Sequence, residues 1–190
     1  MKVADCGHLL SGDLRSALIT APEKTSLHAT AEDILEMVTA YLHDGNTFLS
    51  QGDWVNALAA FCYGYGWLHF GATTGYFEME TVSCPVSTPF ERAPLSLCEK
   101  LEEKTGRYAH LLDTARSAVI ASPVPGTVMH TAAERVLTIT ALYSRQGDVF
   151  RLLGRPQDAL ACFSYGHGWL DAAVRSGIFS LVSDRDLFAV

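Results

Sequence analysis

The sequence holds no run of eighteen or more apolar residues, so no membrane-spanning helix is expected. Its first residues lack the basic stretch and apolar core of a secretory signal, and none is expected. No block of lysine or arginine is present, and the formal charge is −7. That balance disfavours a nucleic-acid partner, whose phosphates would need a cationic surface. The five cysteines (Cys6, Cys62, Cys84, Cys98 and Cys162) are an odd number and form no C-x-x-C pair. This argues against a disulfide framework or a zinc ribbon. Reduced thiols and a cytoplasmic location are the expectation. A phosphate loop, a G-x-S-x-G elbow and an H-E-x-x-H helix are all missing, so no cofactor or metal is expected. Period-2 alternation is confined to Glu78–Val82 and the last ten residues, so strands should be marginal.

What is present is a folded, core-forming composition, 48 % apolar and 18 % charged in 190 residues. The chain also repeats. Residues 3–77 align without a gap on residues 105–179, an offset of 102, with 23 of 75 positions identical. The identities include His8/His110, His28/His130, Tyr41/Tyr143, Gly45/Gly147, Phe61/Phe163 and Phe77/Phe179. A match of this length marks a tandem duplication of one structural unit. Pro85, Pro89 and Pro94 interrupt any helix between the copies. The expected organisation is therefore a first unit at 1–77, a linker at 78–94, a second unit at 95–179 and a tail at 180–190.

Apolar residues recur at three- and four-residue spacing, and each unit reads as three helices. The first helices are expected over Val3 to Thr20 and from Leu95 to Ala121. Thr25 and Thr127 are placed to cap the second helices, which should run to Ser50 and Leu152. Asp53 can cap a third helix and Pro156 suits a first helical position, with Gly75 and Gly177 as stops. Short turns imply antiparallel neighbours. The fold class expected is all-α, two tandem antiparallel three-helix bundles about a pseudo-twofold axis.

Within the third helices lies the most distinctive stretch. It reads Tyr63-Gly64-Tyr65-Gly66-Trp67-Leu68 and, again, Tyr165-Gly166-His167-Gly168-Trp169-Leu170. A glycine inside a helix costs about 1 kcal/mol relative to alanine, so Gly64, Gly66, Gly166 and Gly168 ask for close packing or a ligand at the backbone. The order Tyr143, Gly154-x-x-x-x-Ala159, Tyr165-x-His167-Gly168-x-Leu170-Asp171, Gly177 resembles the archaeal domain-of-unknown-function family numbered 357. The second unit carries the full Y-x-H-G-x-L-D helix. The first has Tyr65 in place of the histidine and His69 in place of the aspartate, yet keeps the Gly52-Asp53 turn where the second has Gly154-Arg155. The resemblance implies a three-helix bundle and an archaeal origin, and it carries no catalytic residue. A second likeness, Gly52-x-x-x-x-Ala57-x-x-x-Phe61, resembles part of a tetratricopeptide hairpin, but the intervening segments lack that repeat's signature.

Two groups of side chains are candidates for function. His167 and Asp171, four residues apart on one helix face, form with Tyr165, Tyr65 and His69 a candidate polar site. A carboxylate can orient an imidazole for proton transfer, or the pair can be purely structural. Tyr63, Trp67, Phe70 and Trp169 form an aromatic stripe suited to an interface, either with the other unit or with a second chain. The leading expectation is a non-enzymatic protein-interaction or scaffold module, acting on an unknown protein partner or by self-association. One alternative is a small-molecule-binding protein or enzyme with a pocket beside the third helix of the second unit. A further one is a tetratricopeptide-like peptide binder.

Overall fold

Caps and stops read from the sequence set most helix limits in the computed structural model, which describes residues 1–80 and 83–188. Among the described residues six α-helices carry the fold. They are α1 (Val3–Ser16), α2 (Ser26–Ser50), α3 (Trp54–Thr74), α4 (Cys98–Ser117), α5 (Val128–Leu152) and α6 (Pro156–Arg175). Thr25 Oγ1 accepts the His28 N–H and Thr127 Oγ1 the His130 N–H, each at 3.2 Å, fixing the starts of α2 and α5. Asp53 caps α3 through the Asn56 N–H, and Pro156 opens α6. Gly75, at φ 82°, closes α3 in the left-handed conformation that glycine adopts without strain.

The first helices end four residues sooner than expected, α1 at Ser16 and α4 at Ser117. The residues that follow are β-branched or apolar and take extended form instead. Strand β1 (Leu18–Ile19) pairs antiparallel with β2 (Phe77–Glu78), and β3 (Val119–Ala121) with β4 (Phe179–Leu181). The backbone groups freed by ending the helix are satisfied by the strand that leaves the third helix. Of the expected strand Glu78–Val82, only Glu78 is paired, and Thr81 and Val82 lie outside the described residues. The segment expected as a linker is held down: the Met1 ammonium donates to Pro89 O at 2.6 Å, the Glu91 N–H donates to Met1 O, and Phe90 is buried. The expected tail also packs, with Phe188 buried against His167.

The centre of the molecule is α3 against α6, with α1 and α2 laid on α3 and α4 and α5 on α6. Both central helices are buried almost all round, from Ala57 to Gly71 and from Gln157 to Val174. A helix that is apolar on every face belongs in this position. The four motif glycines divide the work of close approach. A Cβ on Gly64 would lie 3.2 Å from Leu10 and Tyr41, and one on Gly166 would lie 3.1 Å from Leu112. Those two admit neighbours from their own half. A Cβ on Gly66 would overlap the Tyr165 carbonyl oxygen and stand 2.8 Å from Gly168 Cα, while one on Gly168 would overlap the Tyr63 carbonyl oxygen. At Gly66 and Gly168 the two backbones touch.

Candidate functional site

The same crossing sets two buried polar pairs between the helices. Tyr63 Oη donates to Asp171 Oδ2 at 2.6 Å, and Tyr165 Oη shares a hydrogen with His69 Nδ1 at 2.7 Å. Tyr63 is equivalent to Tyr165, and His69 to Asp171, so one arrangement is used twice with a different acceptor. Each tyrosine also lies against a tyrosine of its own half, Tyr41 and Tyr143, with ring centroids 4.5 Å apart. Burial drives the Tyr63 hydroxyl well above its ordinary pKa, and the Asp171 carboxylate adds to this. Burial lowers the pKa of His69, partly countered by the Ser83 backbone and Asp13.

The polar residues singled out in the motif therefore fall into three settings. His69, Tyr165 and Asp171 join the halves. Tyr65 Oη reaches Asp13 Oδ2 at 3.3 Å, and Ser83 bonds the same carboxylate through its N–H and hydroxyl. His167 Nε2 lies 3.1 Å from Leu187 O, and its ring stands edge-on to Tyr63 and Phe188. Burial brings the His167 pKa down to about 4, against the raising effect of that carbonyl. The aromatic stripe is spent inside the molecule: Trp67 and Phe70 are fully buried, and Phe70 meets Trp169 edge-to-face at 5.9 Å. The repeated histidines serve helix starts, His28 Nδ1 lying 3.0 Å from Ala21 O and His130 Nδ1 3.1 Å from Pro123 O. His8 and His110 are exposed. Among the described residues no group of three or more His, Cys, Asp or Glu side chains is placed to hold a metal ion.

Beside α3 a groove of about 300 Å³ opens toward α4. Tyr41 and Tyr63 form one wall and Tyr108 the other, with Asn56, Lys104 and His167 between them. Lys104 Nζ donates to Asn56 Oδ1 and stands 5.1 Å over the Tyr108 ring. Burial, with Arg107 nearby, lowers the Lys104 pKa. Asn56 donates onward to Asp53 Oδ2, which also binds Lys100 Nζ at 2.8 Å. Burial works against the Asp53 carboxylate, but these bonds prevail and hold it below its ordinary range.

The equivalent groove beside α6 is full. Tyr41, Asn56, Ala60 and Tyr63 correspond to Tyr143, Asp158, Cys162 and Tyr165. Asp158 Oδ1 accepts the Phe90 N–H at 2.8 Å, and the single 3₁₀ turn Pro85–Ser87 packs on α6 with Pro85 buried. Cys84 stands beside Tyr143 and Cys162. Burial first, and Cys84 second, push the Tyr143 hydroxyl up to about 12. Asp13, Asn56, Lys104 and Asp158 are absent from the sequence-derived candidates. Asp13 carried a signal, a carboxylate one turn from Leu10 on an apolar stripe, at a position where the second unit has Ala115. The others sit on polar faces that look like ordinary solvated surface.

Comparison with known proteins adds one finding. Residues 8–77 and 107–179 each match the family described as Protein of unknown function (DUF357), and the chain belongs to that family as a tandem duplication of its domain. No curated protein and no solved structure matches it.

Proposed function

We propose that this tandem member of the DUF357 family is a non-catalytic binding module that takes a short proline-containing segment of a partner protein in the groove beside α3. In this reading α1–α3 and α4–α6 are two antiparallel three-helix units about a pseudo-twofold axis at Gly66 and Gly168. The observation that carries it is the difference between the two grooves. The one beside α6 is occupied by the chain's own Cys84–Phe90, a proline-containing segment with a 3₁₀ turn at Pro85–Ser87, anchored by a backbone N–H and a buried phenyl ring. The one beside α3 keeps the equivalent tyrosine pair, Tyr41 and Tyr63, and is open. Proline fixes the backbone in advance, so such segments lose little conformational entropy when docked against aromatic walls.

Binding is favoured over catalysis by how the polar groups are engaged. The Tyr63 hydroxyl is spent on Asp171, and His167 has Nε2 on a backbone carbonyl. Free thiols at Cys6, Cys62 and Cys162, all buried, support a reducing, cytoplasmic setting. The archaeal origin rests on the sequence resemblance alone. A second reading, a small polar molecule in the same groove, is supported by its volume of about 300 Å³ and by Lys104 at its wall.

The test is a random-peptide display selection on the wild-type chain, counter-selected on Ala60→Phe, which fills the groove. Peptides pairing proline with an aromatic residue should emerge, bind with a micromolar Kd and weaken about tenfold on the filled variant. Failure to recover any peptide that distinguishes the two chains would refute the proposal.

A further inference from the structure

A second cavity, of about 460 Å³, lies where the C-terminal end of α3 approaches the N-terminal half of α5. It shares no lining residue with the groove beside α3. It straddles the internal symmetry: Leu27 and Met129, which both line it, are equivalent residues, and so are Tyr76 and Ile178. Val136, Trp169 and Ile178 form a buried floor, and Leu27, Val128 and Met129 an exposed apolar rim.

Two equivalent junctions, each between a third helix and the second helix of the other half, differ. On one side Arg175 of α6 clasps Asp33 of α2, with Nε and Nη2 at 3.2 and 3.1 Å from Oδ2. The equivalent positions on the other side are Thr73 and Arg135. There the carboxylate has become a guanidinium and the guanidinium a threonine, so the clasp cannot form. Both Thr73 and Arg135 line the cavity, and among the described residues Arg135 has no ion-pair partner. An apolar cavity with a free arginine at its mouth, in a chain of net charge −7, is complementary to one negative charge on an apolar body.

We propose that this cavity is a binding site for a small amphipathic monocarboxylate, with the carboxylate on Arg135 and the apolar body on Val136, Trp169 and Ile178. The volume falls in the range of about 300–1,000 Å³ usual for small-molecule sites. The guanidinium fork matches a carboxylate in two-point geometry. The clasped junction shows what the open one lacks. Arg175 and Asp33 satisfy each other across the gap, whereas Arg135 is left for an external acid.

The probes are octanoate and 1-octanol, which share a chain and differ in charge, followed by calorimetry and tryptophan fluorescence on the full chain. Octanoate should bind at one saturable site. Arg135→Gln should weaken it about tenfold while changing 1-octanol less than about twofold. The double variant Thr73→Arg/Arg135→Asp copies the clasp onto the open junction at two exposed positions. It should bind neither probe and melt like the wild type. The proposal is overturned if octanoate shows no saturation up to about 10 mM, or if Arg135→Gln leaves its affinity unchanged. Equal binding of both probes overturns acid recognition and assigns the cavity to an apolar side chain of a partner. If the double variant does not fold, the Arg135→Gln comparison decides alone.

Discussion

Adding one methyl group to Gly66 should do more damage than its size suggests. In an unhindered helix interior, glycine to alanine is worth about 1 kcal/mol of stabilisation. At Gly66 the new Cβ meets backbone from the facing helix: the Tyr165 carbonyl oxygen, then Gly168 Cα and Trp169 N, both at 2.8 Å. No side chain can swing aside, so α6 has to translate. Overpacking of this kind costs about 1–3 kcal/mol. The translation also stretches the Tyr63–Asp171 and Tyr165–His69 hydrogen bonds, and a bond to a charged group is worth about 1.5–3 kcal/mol. Set against the propensity gain, Gly66→Ala should destabilise by about 3 kcal/mol, a fall in Tm of about 6–12 °C for a chain of this length. Gly106 in α4 is the control, since a Cβ there meets nothing within 4 Å. Gly106→Ala should raise stability by roughly 0.5–1 kcal/mol. Thermal and urea melts of both variants make the comparison. If Gly66→Ala is as stable as Gly106→Ala, the two backbones are not in contact and the account of the motif fails.

Two further outcomes follow from burial. His167 is neutral when folded, its pKa lowered from 6.5 to about 4, so the unfolded chain binds the extra proton between those values. Stability should therefore be complete above about pH 6.5 and fall toward pH 4, by up to about 3 kcal/mol from this residue; melts of His167→Gln should show a shallower decline, and an unchanged slope would refute the assignment. Among the thiols, Cys98 is exposed, Cys84 half-buried and the other three buried, with the Cys162 thiol pushed up to about 12 by burial. A thiol-reactive chromophore should label Cys98 at once, Cys84 slowly and the rest only on unfolding, and mass spectrometry of peptides would contradict this if Cys62 or Cys162 reacted first.

The sequence carries its helices plainly because their ends are written in single residues. Thr25, Thr127, Asp53, Pro156 and Gly75 act within one turn of where they stand, and a local cause leaves a local trace. The ends of α1 and α4 were harder, because Leu18–Ile19 and Val119–Ala121 continue an apolar pattern and turn to strand only when Phe77–Glu78 and Phe179–Leu181 arrive beside them. That cause is sixty residues away along the chain. The glycines gave the same mixed lesson. Their presence announced close approach, but only the structure separates Gly64 and Gly166, which serve their own half, from Gly66 and Gly168, which bring the halves together. Tyr63, Trp67, Phe70 and Trp169 could be read as a face to be covered, but the choice between the other unit and a second chain has no local trace. Asn56, Lys104 and Arg135 left no trace, since a polar residue on a helix surface looks the same whether it borders a groove or bulk water.

A duplicated chain offers an internal control that a single unit lacks. Positions held in common, such as Gly66/Gly168, Tyr63/Tyr165 and Phe61/Phe163, are accounted for by packing that both halves require. Positions that differ are free of that requirement, and four of them, at three places, coincide with structural asymmetry. Asn56 replaces Asp158 where one groove is open and the other filled. Thr73 and Arg135 replace Arg175 and Asp33 where one helix junction opens into a cavity and its equivalent is clasped. Tyr65 and His167 differ where Asp13 and Leu187 lie over the two central helices. At the cavity the difference removes the Arg175–Asp33 ion pair and leaves Arg135 at the edge, whereas in the groove Lys104 is accompanied by Asp44. Among the described residues, only the cavity at Arg135 therefore carries a cation with no carboxylate in its lining, and in a chain of net charge −7 that is the opening whose field favours an acid.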